Sequence, residues 1–320
     1  MTARRPLPLT LALLAFPAAA EAQTPPAPPA APVAGKASLK LAGGLPTGKA
    51  RYYAPHQLMV LRGSVQPAVP GEVVALRVFR HGKLSKRIRR SVDAGGRFQF
   101  QVKVGKPGGL RLFVSHAASE MQAAFRTPAE RIEVVRWRAG LGAAGVRVLL
   151  LQRALHRLRF ATPVTGRFDA LTANAVNAFR KTNRMGASGN ASPGVYAMLL
   201  RGEGAFKLRY PRAGKHVEFD WSRQVVVLAD HGRPYRVYHT SSGAPATPTV
   251  FGTYHFYQKT RGTNAKGMVD SSYFIRGYAI HGYVSVPSYP ASHGCLRVPI
   301  PNAASIYNWI DLGDTIFSYR

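Results

Sequence analysis

Between about residues 36 and 136, apolar side chains recur at every second position. Phe98, Phe100, Val102 and Val104 fall on one face, while Gln99, Gln101 and Lys103 fall on the other. This is the period of a half-buried antiparallel strand. Val74, Leu76 and Val78 repeat it, as do Leu110, Leu112 and Val114, and His81-Gly82, Ala94-Gly95-Gly96 and Pro107-Gly108-Gly109 punctuate the runs. Short alternating strands with such turns predict a small Ig-like β-sandwich. From about 139 to 202 the period becomes helical. Val148, Leu151, Leu155 and Leu158 form one apolar stripe and Leu171, Ala175, Val176 and Phe179 a second; Ser192 followed by Pro193 caps a third run through Val195, Met198 and Leu199. Strands return after about 205. Val217 and Phe219 alternate, Asp220 to Arg223 turns, Gln224 to Leu228 returns, and Asp230-His231-Gly232 turns again before Tyr235 to Thr240. Further strands are expected at Gly252 to Tyr257, Tyr278 to Gly282 and Asp314 to Tyr319, giving a mostly β domain whose meander buries one face.

The start of the chain follows none of these periods. Arg4 and Arg5 precede an apolar run from Leu7 to Ala20, and Ala20-Glu21-Ala22 offers small residues where a signal peptidase reads before Gln23. The run is short for about 30 Å of hydrocarbon, so export by a cleaved signal is favoured over a membrane anchor and no stable membrane span is expected. Residues 23–35, nearly all Pro and Ala, read as an extended linker. The expected organisation is therefore 1–22 signal peptide, 23–35 linker, 36–137 β-sandwich, 138–204 three-helix module and 205–320 a mostly β domain.

Charge and cysteine count change the picture in opposite ways. A net charge of +30, from 44 Lys and Arg against 14 Asp and Glu, draws the protein to polyanions of any kind. Nucleic acid is not the expected partner of an exported chain; peptidoglycan carboxylates and anionic envelope polymers are what it would meet, and a solvated surface without specific binding is the alternative. The densest basic cluster, Lys86, Arg87, Arg89 and Arg90, fits a solvated strand edge better than a binding site. An exported chain with one cysteine, Cys295, can form no internal disulfide. Its thiol is either buried and inert or kept for chemistry.

The helical stretch resembles a known module. Gly145-Val146, Leu151-Gln152, Leu155, Gly166-Arg167-Phe168, Thr172, Ala175-Val176 and Phe179 are similar to the peptidoglycan-binding helical repeat of wall enzymes. By that resemblance it would hold glycan near the catalytic domain.

Chemistry concentrates around Cys295. Ser292-His293-Gly294-Cys295-Leu296-Arg297 holds the only thiol, and Ile280-His281-Gly282 places an imidazole fourteen residues before it. A thiol needs a base to attack an amide carbonyl at neutral pH, and His281 is the candidate. The Gly282 carbonyl is a candidate to fix its tautomer, the amides of Gly294 and Cys295 to face a developing oxyanion, Ser292 and His293 to shape the pocket, and Arg297 to grip a substrate carboxylate. A zinc site from His281, His293 and Cys295 lacks an obvious fourth ligand, so no metal or cofactor is expected.

Together these residues resemble the signature of the L,D-transpeptidase catalytic domain. The likeness extends over about 215–320, through Ser241-Ser242-Gly243, Thr247-Pro248 and Asp311-Leu312-Gly313-Asp314-Thr315. Sortases also join Cys, His and Arg in a β domain, but their histidine lies much farther upstream. The resemblance implies that Cys295 is the nucleophile and His281 the general base, with His293, Gly294 and Arg297 in the pocket. The implied reaction takes a tetrapeptide stem as acyl donor and the side-chain amine of a second stem as acceptor, in the periplasm or cell wall. An L,D-carboxypeptidase, in which water resolves the thioester, and a non-catalytic wall-binding protein are the alternatives.

Overall fold

The computed structural model describes residues 1–2, 31–48 and 50–320. The expected signal peptide and most of the linker lie outside the described residues. Among the described residues no helix is long and apolar enough to cross a membrane.

The first region carries β1 (Lys36–Ala42), β2 (Leu45–Thr47), β3 (Ala50–Tyr53), β4 (Leu58–Gln66), β5 (Val73–Arg80), β6 (Lys83–Ser91), β7 (Arg97–Lys103), β8 (Gly108–His116), β9 (Phe125–Arg126) and β10 (Glu130–Val134). One sheet runs β1-β4-β7; the other runs β2-β3-β10-β8-β5-β6, with β9 on β8. The alternation read along the chain becomes the packing between them. Phe98, Phe100 and Val102 of β7 face Leu76, Val78, Leu112 and Val114 of the opposite sheet in one closed core. β6 is an edge strand on which Lys86, Arg87, Arg89 and Arg90 are all exposed. Such charge on an edge opposes strand addition by another chain.

Three helices follow: α1 (Val146–Arg157), α2 (Ala170–Thr182) and α3 (Pro193–Arg201). Ser192 caps α3 as expected, its hydroxyl accepting from the Val195 amide. Gln152 of α1 is fully buried. Its amide donates to the Arg167 carbonyl and to Thr172 Oγ1, both at 2.9 Å, and accepts from the Thr165 and Gly166 amides at 3.0 and 2.8 Å. One side chain thus ties α1 to the turn that starts α2.

The last region comprises β11 (His216–Asp220), β12 (Val225–Asp230), β13 (Arg233–His239), β14 (Gly252–His255), β15 (Gln258–Thr263), β16 (Val269–Ile275), β17 (Tyr278–Tyr283), β18 (Leu296–Pro299), α4 (Ile300–Trp309) and β19 (Thr315–Tyr319). Its sheets run β13-β12-β11-β19-β14 and β15-β16-β17-β18. His231 (φ 49°) and Gly232 (φ 71°) make the tight β12–β13 hairpin, with the left-handed pair that two-residue turns require. Val226, Leu228, Ile280, Leu296, Val298 and Ile316 form the core of this region.

The expectation that the meander buries one face is corrected here. The apolar residues of β12 run without alternation, and Val225 and Val227, with Val237 of β13, enter the core of the three helices beside Leu155, Phe160 and Phe179. A continuous apolar run is what a strand covered on both faces requires. Main-chain bonds reinforce the contact: Ala161 donates to Val237 O at 2.9 Å and Val237 to Arg159 O at 2.8 Å. The helices are therefore a layer of the last β region's own packing.

Candidate active site

The site is built where β17 and β18 pair in parallel, Ile280 against Leu296 and His281 against Arg297. Side chains in register on neighbouring strands share a face, and faces alternate along a strand. Ile280, Leu296 and Val298 point into the core, so His281 and Arg297 point the other way. Cys295 immediately precedes β18, at the end of the turn that leads into it.

Each group is held by its surroundings. His281 is 3% exposed, and its Nδ1 lies 2.9 Å from the Gly282 carbonyl. A carbonyl can only accept, so Nδ1 carries the proton and Nε2 offers its lone pair. Gly282 also lets helix α4 approach, since a Cβ there would lie 2.8 Å from Ala303 Cβ and 3.1 Å from Ile300 Cα. Ser292, 2% exposed, donates to the Cys295 carbonyl at 2.6 Å and accepts from the Gly294 amide at 3.1 Å, closing the turn that presents the cysteine. Gly294 has φ +109°, and a Cβ there would fall 1.9 Å from the Tyr278 ring. No other residue fits this position.

Burial sets the proton positions. It pushes the Cys295 thiol up, against the Ala279 amide and the charges of Arg297 and Lys266, which pull it down. Burial lowers His281, the Gly282 hydrogen bond opposes this, and Arg297 lowers it further. The resting pair is a thiol and a neutral imidazole. The thiol donates to the Gly277 carbonyl at 3.7 Å.

Known proteins bear on this arrangement. Residues 214–317 match the L,D-transpeptidase catalytic domain model, and residues 144–199 match a putative peptidoglycan binding domain. No curated protein sequence matches the chain. Among solved structures, an L,D-transpeptidase from Xylanimonas cellulosilytica is 30% identical with a TM-score of 0.54, over 58% of this chain and 98% of that one. The chain belongs to the L,D-transpeptidase family. A second L,D-transpeptidase, from Stackebrandtia nassauensis, is 19% identical with a TM-score of 0.36, over 57% of this chain and 95% of that one.

As an L,D-transpeptidase domain, the region departs from the sequence reading in one detail. The Gly294 amide is turned to Ser292 Oγ rather than to the reaction face, because the short turn closes on the serine hydroxyl. His293 is exposed beside the buried Ser292. Arg297 lies 4.2 Å from the centre of the Tyr283 ring and donates to the Ala291 carbonyl at 3.3 Å, so its fork is half engaged.

Sequence reasoning missed the second strand of support. Ser242 O accepts from the Ala291 and Ser292 amides at 2.8 and 2.9 Å, Thr247 Oγ1 donates to Ser292 O at 3.0 Å, and Thr249 Oγ1 to Gly294 O at 2.8 Å. The small-hydroxyl run of residues 240–249 was visible in the likeness to the family; its task of bonding the cysteine turn was not, since the partners lie far along the chain.

Proposed function

We propose that the protein forms peptidoglycan cross-links by acyl transfer through Cys295, with His281 as general base, in the periplasm or cell wall. The observation that supports this reading is His281 Nδ1 tied to the Gly282 carbonyl at 2.9 Å, which leaves Nε2 as the acceptor, on the strand paired with the one that Cys295 leads into.

In the first half-reaction the Cys295 thiol gives its proton to His281 Nε2 as sulfur attacks the carbonyl of the diamino acid preceding the terminal D-alanine of a tetrapeptide stem. The Cys295 amide stabilises the developing oxyanion. Collapse breaks the C–N bond; the imidazolium protonates the leaving amine, and D-alanine departs. In the second half a side-chain amine of another stem attacks the thioester, His281 takes its proton, and sulfur leaves to be reprotonated. Arg297 faces the same surface and suits a stem carboxylate. The helical module, as a peptidoglycan binder, would raise the local concentration of stems held on an insoluble mesh.

Incubation with defined tetrapeptide muropeptides tests the assignment. The expected products are a cross-linked dimer and free D-alanine; trimmed monomer alone would assign a carboxypeptidase, and no product from the folded protein would leave a wall-binding role.

A further inference from the structure

We propose that helix α2 is a positioning element for the active-site segment leading into Cys295, acting through Lys181 and Asn177. This rests on the acylation of Cys295 set out above and goes beyond a glycan-holding role for the helices.

Lys181, in the last turn of α2, is 9% exposed and reaches across the helix–sheet junction. Its Nζ lies 2.5 Å from Gln224 O, 2.7 Å from His239 Nδ1 and 3.2 Å from Thr240 O. Three acceptors match the three hydrogens of an ammonium. His239, 2% exposed, then has its proton on Nε2, which lies 2.9 Å from Val286 O in the segment between β17 and β18. Thr240 continues the line, its hydroxyl donating to Arg297 O at 2.7 Å. One helix residue is thus bonded, through one intermediary each, to the segment before the cysteine and to the strand after it.

Asn177, one helical turn before Lys181, makes a second and independent contact. Its Nδ2 donates to Ser288 Oγ at 2.7 Å, while its Oδ1 accepts from the Ser188 amide at 3.0 Å. Residues 284–291 contain two prolines, Pro287 and Pro290, and several exposed side chains, and they have no ladder of their own. Within this segment Val286 and Ser288 are held from α2, Tyr289 O accepts from Ser241 at 2.7 Å, and Ala291 O accepts from Arg297. Losing the helix contacts would free the half of the segment farthest from the cysteine and loosen its approach to the turn.

Burial pushes the Lys181 ammonium down to about 7, so the test is run at pH 6, where all three hydrogens are present. Full-length wild type, Lys181→Met, Asn177→Ala and His239→Gln are compared by hydrogen exchange and by acylation with a carbapenem-type β-lactam. In Lys181→Met and Asn177→Ala, amides of residues 284–295 should exchange faster while those of β11 and β19 do not. The saturating acylation rate should fall by about 10- to 100-fold for Lys181→Met, the scale of a small misplacement of reacting groups, with the half-saturating concentration and sacculus binding little changed. His239→Gln, whose amide can accept from Lys181 and donate to Val286, should keep most of the rate. Unchanged exchange over 284–295 in folded Lys181→Met, or in Asn177→Ala should the first variant not fold, overturns the proposal. So does a rate loss that His239→Gln shows as fully as Lys181→Met. Wild type that folds but is not acylated would sink the catalytic reading, while the exchange comparison still decides the positioning role.

Discussion

The N-terminal β region and the helical region both precede the catalytic strands, yet they relate to them differently. The β region closes a core of its own between two sheets. The helices do not: Leu155, Phe160 and Phe179 share a core with Val225, Val227 and Val237 of the catalytic sheet. The β region meets that shared core at its margin, through Leu45 and Ala54, the Tyr52–Trp137 ring pair at 5.1 Å, and bonds from Gln57 Nε2 to Leu200 O at 3.0 Å and from Arg153 to Thr47 Oγ1 at 3.2 Å. A segment that resembles a portable binding module can thus be structurally inseparable from its neighbour, while a larger sandwich beside it is an appendage. Separability follows from where apolar area is buried rather than from family boundaries.

The largest expected effect comes from cutting at those boundaries. Removing residues 139–202 strips one face of β12 and should yield aggregated protein with no acylation, whereas removing 36–134 should leave a soluble protein acylated at the wild-type rate; size-exclusion chromatography and adduct formation read both. Point changes sharpen the contrast. Phe179→Ala and Phe100→Ala should each cost about 3–5 kcal/mol, the first lowering the melting transition that carries the active site and the second a separate one, as calorimetry would show. His281→Gln leaves both cores intact and should lower acylation by roughly 10²–10⁴, with no change in melting.

The smallest effect is in pH dependence. Burial and Arg297 hold His281 below its ordinary 6.5, and burial holds Cys295 above 9.0. The base is therefore unprotonated across neutrality, and the acylation rate should fall only as pH drops through the lowered histidine pKa, on the acid side of 6.5. Arg297→Gln removes a positive neighbour, raises His281 and should move that acid limb to higher pH. A limb that stays in place would show that the guanidinium does not act on the base.

Much of this was legible in the chain. Period two marked β5, β7 and β8, the Ser192-Pro193 pair marked α3, and the residues around Cys295 and His281 marked the family. The Gly282 carbonyl on His281 follows from local geometry and could be anticipated. The readings that failed depend on long-range neighbours: Gln224 to Leu228 reads as a strand, but only the helices opposite it explain why its apolar residues never alternate. Helix α4 escaped because Pro299 and Pro301 look like breakers, although proline in a first turn is compatible with a helix. Lys181 reads as one more cation in a basic chain, and its three buried acceptors come from residues far along the sequence.

The most direct measurement is intact-protein and peptide mass spectrometry after exposure to a carbapenem-type β-lactam. A single covalent adduct mapped to Cys295, absent from a folded Cys295→Ala variant, is the predicted result. An adduct elsewhere, or equal labelling of Cys295→Ala, would contradict the assignment of the reacting sulfur.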